Sequence, residues 1–206
     1  MLYNQIIIRK SHSSPQHIAL ALKAAANIQV KSEPRDLRNL KAGVDSYEKA
    51  LEIERKMCDS SIEYESRSSP HTIIIRSLLN SGNIYRKMHD FSSAEKTFNE
   101  GVFRLNYLMQ RCTGSFSFDQ IHRGPVSLVV IFSLFRDLGK LMISQKMYLQ
   151  AKENFLKAKL VYDTKVDYFS ASISLRNSYD HIDKYLLKIN RRIKRNMVRK
   201  NAVNIR

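Results

Sequence analysis

Two stretches of the chain, 57 residues apart, carry the same order of small and large side chains. In the first, Gly82, Tyr85, Ala94, Phe98 and Gly101 fall at offsets of 0, 3, 12, 16 and 19 residues. In the second, Gly139, Met142, Ala151, Phe155 and Ala158 fall at the same offsets. Small residues at these intervals are what two antiparallel helices need where their backbones cross closely. Each gap admits a bulky side chain from the partner helix, and ridges enter grooves. The pattern therefore points to paired helices.

A weaker third copy comes earlier. Gly43, Tyr47 and Ala50, within the string Tyr47-Glu48-Lys49-Ala50-Leu51-Glu52-Ile53, reproduce the second-helix half. The Ala-rich run over 16–30 supplies its first helix. Ser32-Glu33-Pro34-Arg35-Asp36 then makes a lengthened turn. The four prolines (Pro15, Pro34, Pro70, Pro125) all lie between periodic segments. Ser68-Ser69-Pro70-His71 and His122-Arg123-Gly124-Pro125 each precede an apolar run, as a helix-opening proline should. The spacing predicts seven helices, at roughly 16–31, 37–60, 70–88, 91–111, 125–145, 148–164 and 168–200, with no strand-like alternation. Hydrophobic residues at 43% suffice for a continuous core in an all-α chain of 206 residues.

The repeated offsets resemble the tetratricopeptide repeat, a helical-hairpin family that binds protein partners. Gly82-Asn83-Ile84-Tyr85 and Leu138-Gly139-Lys140-Leu141 match the first half of its pattern. Ala94-Glu95-Lys96-Thr97-Phe98 and Ala151-Lys152-Glu153-Asn154-Phe155 match the second. The family's proline after the second helix is replaced by Asn106 and Asp163, and the repeat spacing exceeds the family's 34 residues. The resemblance implies antiparallel hairpins stacked as a short solenoid over 16–183, closed by a C-terminal capping helix. It also implies a concave surface lined by Arg76, Leu79, Asn83 and Arg86 in one repeat and by Ser133, Arg136, Lys140 and Ile143 in the next. Arg76, Asn83, Arg86, Arg136 and Lys140 are thus the expected partner-binding groove, suited to an acidic or carboxylate-bearing segment. Leu79 stands where the chaperone-binding members of the family need a lysine, so chaperone binding is not expected.

Charge is concentrated at the two ends. The formal net charge is +16. Residues 1–32 hold Arg9, Lys10, Lys23 and Lys31, and residues 184–206 hold nine basic residues, with no acid in either segment. The remaining 22 basic residues nearly balance all 19 acidic ones. The first 15 residues look like a mitochondrial targeting segment or a flexible N-terminus, which leaves a mitochondrial or cytoplasmic location open. From 182 onward, Ile182, Tyr185, Leu186, Ile189, Ile193 and Met197 keep one apolar stripe at helical spacing while cations take the other faces. Arg191, Arg192, Lys194, Arg195, Arg199 and Lys200 form a basic tail that could meet RNA phosphates, anionic lipid or an acidic protein. Its one aromatic, Tyr185, favours contact with a charged backbone over base stacking.

The sequence argues against other chemistry. The most apolar window, 126–135, is half the length of about 20 residues that a bilayer needs, and reads as a buried helix. Cys58 and Cys112 form no Cys-x-x-Cys pair, and no zinc-ligand spacing or cofactor motif occurs. Three functional classes follow. The first is a non-catalytic adaptor or scaffold that holds an acidic partner segment in the basic groove, as part of a larger complex. The second is an RNA-contacting structural subunit of a ribonucleoprotein such as a mitochondrial ribosome. The third is an enzyme using Cys112, Asp119 and His122 in the loop 111–125. No catalysis, cofactor or metal is expected.

Overall fold

The computed structural model describes residues 14–34, 36–60, 70–113, 127–164 and 173–203, with side chains undescribed at 59–60, 70, 111–113, 173–175 and 198–203. The targeting-like segment over 1–13 and the loop bearing Asp119 and His122 lie outside the described residues, as does the Cys112 side chain. The described residues form seven helices: α1 (Pro15–Ser32), α2 (Leu37–Ser60), α3 (Pro70–Lys87), α4 (Phe91–Thr113), α5 (Leu128–Ser144), α6 (Tyr148–Asp163) and α7 (Ile173–Val203). Among the described residues there is no strand. Consecutive helices pack in pairs, and the chain divides into two compact units, one holding α1–α4 and the other α5–α7. Pro70 opens α3 as expected, whereas α5 begins at Leu128, so the expected helix opening at Pro125 falls outside the described residues.

The 57-residue repeat recurs atom for atom in the turns of two hairpins. His89, between α3 and α4, and Lys146, between α5 and α6, both take φ of 62°. Each ends its helix in the left-handed region. The Asp90 N–H donates to Tyr85 O at 3.0 Å and the His89 N–H to Arg86 O at 3.2 Å. In the later hairpin the Met147 N–H donates to Met142 O at 2.8 Å and the Lys146 N–H to Ile143 O at 3.0 Å. These paired bonds satisfy the orphan carbonyls of the helix end, so the chain reverses here without glycine or proline. Asp90 also accepts the Ser93 N–H at 3.1 Å and caps α4, a bond that Met147 cannot make for α6.

The small residues lie where close crossings require them. A Cβ on Gly82 would meet the Phe98 ring at 2.7–3.0 Å, and one on Gly139 would meet the Phe155 ring at 2.9 Å. Ala94, Phe98, Ala151, Phe155 and Ala158 are wholly buried. The α1–α2 hairpin follows the same rule in looser form, since a Cβ on Gly43 would strike Val30 Cγ2 at 2.6 Å. Its turn is the lengthened one, closed by Asp36, whose Oδ1 accepts the Arg38 N–H at 2.9 Å.

Tyr47 ties three helices together. Its ring is buried with Ala26, Leu40, Val44 and Ile84. Its hydroxyl donates to Asn27 Oδ1 on α1 at 2.8 Å and accepts from Asn80 Nδ2 on α3 at 2.9 Å. Tyr47→Phe should therefore lower stability by about 1–2 kcal/mol, one net hydrogen bond or two, in chemical denaturation. Burial pushes the Tyr47 phenol above its usual pKa of 10.0, so the folded state holds this proton more tightly than the unfolded chain does. Its contribution is complete below pH 10 and is lost as pH rises through the folded value. The fall in melting temperature above pH 10 should be shallower in Tyr47→Phe.

In the second unit α5 is buried on most of its circumference, with Val130, Ile131, Phe132, Leu134 and Phe135 all at 4% exposure or less. This is the apolar window of the sequence, used as a core helix. Helix α7 packs antiparallel along α6. Tyr179 stacks on Tyr162 with centroids 3.9 Å apart, and Tyr185 stacks on Phe155 at 5.1 Å. Ile182 and Ile189 complete the contact face and are buried. Lys159 secures the register by donating to Asp183 at 2.8 Å and lying 4.9 Å from the Tyr179 ring centre.

Candidate functional site

The five expected groove residues divide between the two units: Arg76, Asn83 and Arg86 stand on α3, Arg136 and Lys140 on α5. On α3 they recur at seven- and three-residue intervals, which places them along one face. Arg76 is exposed and has no ion-pair or hydrogen-bond partner among the described residues. Leu79, the fourth expected lining residue, is instead buried in the core. Asn83 donates from Nδ2 to Leu79 O at 3.0 Å, and its Oδ1 accepts from Arg86 Nη2 at 3.4 Å. Arg86 Nε is buried without a partner among the described residues. The whole of α3 carries Arg76, Arg86 and Lys87 but no acid.

On α5 the expectation of a cationic lining is corrected by one neighbour. Asp137, 2% exposed, accepts from Arg136 Nε at 2.8 Å and Nη2 at 2.9 Å, and from Lys140 Nζ at 3.2 Å. Arg136 also donates to Ser178 Oγ on α7 at 3.4 Å. Burial works against the charged guanidinium, yet the two-pronged Asp137 contact holds its pKa above the usual arginine value. Both cations compensate an internal carboxylate, and Arg136 also links α5 to α7. The signal was present in the sequence: Asp137 adjoins Arg136 and precedes Lys140 by three, a spacing at which helical side chains meet.

The basic tail is presented differently. Lys184, Lys188, Arg191, Arg192, Lys194 and Arg195 are all exposed, and α7 carries no acid after Asp183. Arg192 donates to the Tyr148 hydroxyl at 3.0 Å and packs 5.6 Å from its ring centre. Arg199 and Lys200 continue the helix, with side chains outside the described residues.

Three polar contacts escaped the sequence reading. Lys23 pairs with the buried Glu54. Arg55 on α2 grips Glu100 on α4 through Nε at 3.2 Å and Nη2 at 2.7 Å, and Arg104 joins from the next turn at 3.0 Å. His71, in the first turn of α3, lies against Cys58, whose Sγ is 3.6 Å from Nδ1 and 3.4 Å from Nε2. A sulfur this nearly equidistant from both nitrogens sits over the ring rather than along a nitrogen lone pair, which is not the in-line geometry of a thiol–base pair.

No family model matches the chain. No curated protein matches it either. Among the described residues no cluster of three or more His, Cys, Asp or Glu could hold a metal ion, and no helix is long and apolar enough to cross a membrane.

Proposed function

We propose that the chain is a non-catalytic helical-hairpin adaptor that holds an acidic segment of a protein partner on the exposed face of α3. The observation that carries this reading is the cationic surplus there: three basic residues, no acid, an unpaired, exposed Arg76 and an exposed Lys87. Guanidinium forks are good partners for carboxylates, and the exposed Arg76 has no protein carboxylate to give up before it meets one. The resemblance to tetratricopeptide repeats supports the same surface, since in that family these helical positions face the partner. The share assigned to Arg136 and Lys140 falls away, because Asp137 already engages both.

A fluorescein-labelled peptide rich in Glu and Asp, titrated with the full chain, tests this. Replacing Arg76 and Arg86 together by alanine should weaken binding by at least about tenfold, the loss of one to two charge-assisted hydrogen bonds. Helicity by circular dichroism should stay unchanged. Undiminished affinity would move recognition off α3.

A further inference from the structure

We infer that α7 residues 184–200 form a docking surface for the phosphodiester backbone of a nucleic acid. Arg192 meets Tyr148, the first residue of α6, so the antiparallel register ends there. Residues 193–203 continue as helix past that point, roughly 16 Å at 1.5 Å per residue. The apolar stripe changes character along the way: Ile182 and Ile189 are buried, Ile193 is half-buried and Met197 is 60% exposed. The helix thus leaves its cover while its cations accumulate.

Eight basic residues occupy 184–200 with no acid among them, and the six whose side chains are described are all exposed. Such cations, distributed around a helix, neutralise successive phosphates and release their counterions, an interaction that needs no base contact. The described aromatic side chains nearby are committed, Tyr185 to Phe155 and Tyr148 to Arg192, so among the described residues no stacking platform accompanies the charges. A lipid surface would need a broad apolar face lying in the interface. Here α6 already covers that face as far as Ile189.

Fluorescence anisotropy of the full chain with a short labelled RNA duplex, a DNA duplex of the same sequence and the single RNA strand tests the inference. Binding to at least one should weaken steeply between about 50 and 200 mM salt, and the strongest of the three identifies the phosphodiester source. Lys188, Arg191, Lys194 and Arg195 are exposed and make no ion pair with a described residue, so replacing all four by alanine should leave the fold intact. That variant should lose on the order of 100-fold in affinity at low salt, and its log–log salt slope should flatten by about 3. Arg191→Lys with Arg195→Lys should bind nearly as the parent does, because phosphate contact reads charge. Binding indifferent to salt or to the four alanines would overturn the inference. So would retention by poly-glutamate or by phosphatidylserine vesicles with none by the nucleic acids. The Arg76→Ala, Arg86→Ala variant should bind nucleic acid normally, which separates failure here from failure of the adaptor reading.

Discussion

Phe155→Ala should cost about 3–5 kcal/mol in chemical denaturation, the largest loss expected from a single substitution in the second unit. The ring is fully buried, fills the crossing of α5 and α6 over Gly139, and carries Tyr185 of α7 on its other face. Truncation would open a cavity shared by three helices. The companion test is Gly139→Ala. In an exposed helix interior this change gains about 1 kcal/mol, because alanine is the better helix former. Here the new methyl would come within 2.9 Å of a buried ring that is backed by Tyr185, and overpacking of that kind costs about 1–3 kcal/mol. The double variant Gly139→Ala, Phe155→Leu should lose less than the sum of its parts, since the smaller side chain vacates the space the methyl needs. Stabilisation by Gly139→Ala alone would contradict the close crossing. Gly82 and Phe98 make the equivalent pair in the first unit, where the Cβ would approach to 2.7 Å.

The second large effect concerns a charge in the core. Glu54 lies 11 residues after Gly43, a place held by Leu105 after Ala94 and by Tyr162 after Ala151. Both counterparts are buried apolar residues, and Glu54 is buried too, at 4% exposure. Lys23 on α1 reaches one carboxylate oxygen, and the other, Oε2, is buried without a partner among the described residues. Lys23→Met should therefore cost about 3 kcal/mol or more, because an uncompensated carboxylate would remain in the interior. Lys23→Met combined with Glu54→Leu should be near neutral or stabilising by about 1–4 kcal/mol, since the desolvation cost disappears along with the attraction. Thermal melts of the three proteins compare the two outcomes directly. A single Lys23→Met variant as stable as the parent would show that the pair contributes nothing.

Much of the architecture was legible in the residues. The seven described helices and the burial of Phe98 and Phe155 follow from spacing and residue size, which depend on neighbours within one or two helical turns. The second hairpin turn was less legible. Lys146 adopts a left-handed conformation that favours glycine, and its cost is met by the paired carbonyl bonds that form only once the chain has reversed. The candidate site was legible in part. Arg76 stands exposed, and the tail cations are exposed as far as their side chains are described. The α5 cations are taken by Asp137, which adjoins Arg136 and precedes Lys140 by three, a pairing that the local spacing already allowed.

By itself the sequence determined the all-α class, the pairing of helices and the concentration of positive charge at the ends, because periodicity, side-chain volume and composition are properties of the chain. Tertiary structure decided which charges remain available. Glu54 engages Lys23 and Glu100 engages Arg55, each between helices and across a distance that only packing sets. Likewise α7's register against α6, fixed by ring stacking at Tyr162 and Phe155 and by Arg192 over Tyr148, decided that its apolar stripe is buried as far as Ile189 while its cations face solvent. Desolvation and counter-charge act through space, so the chemistry offered to a partner was settled by the fold.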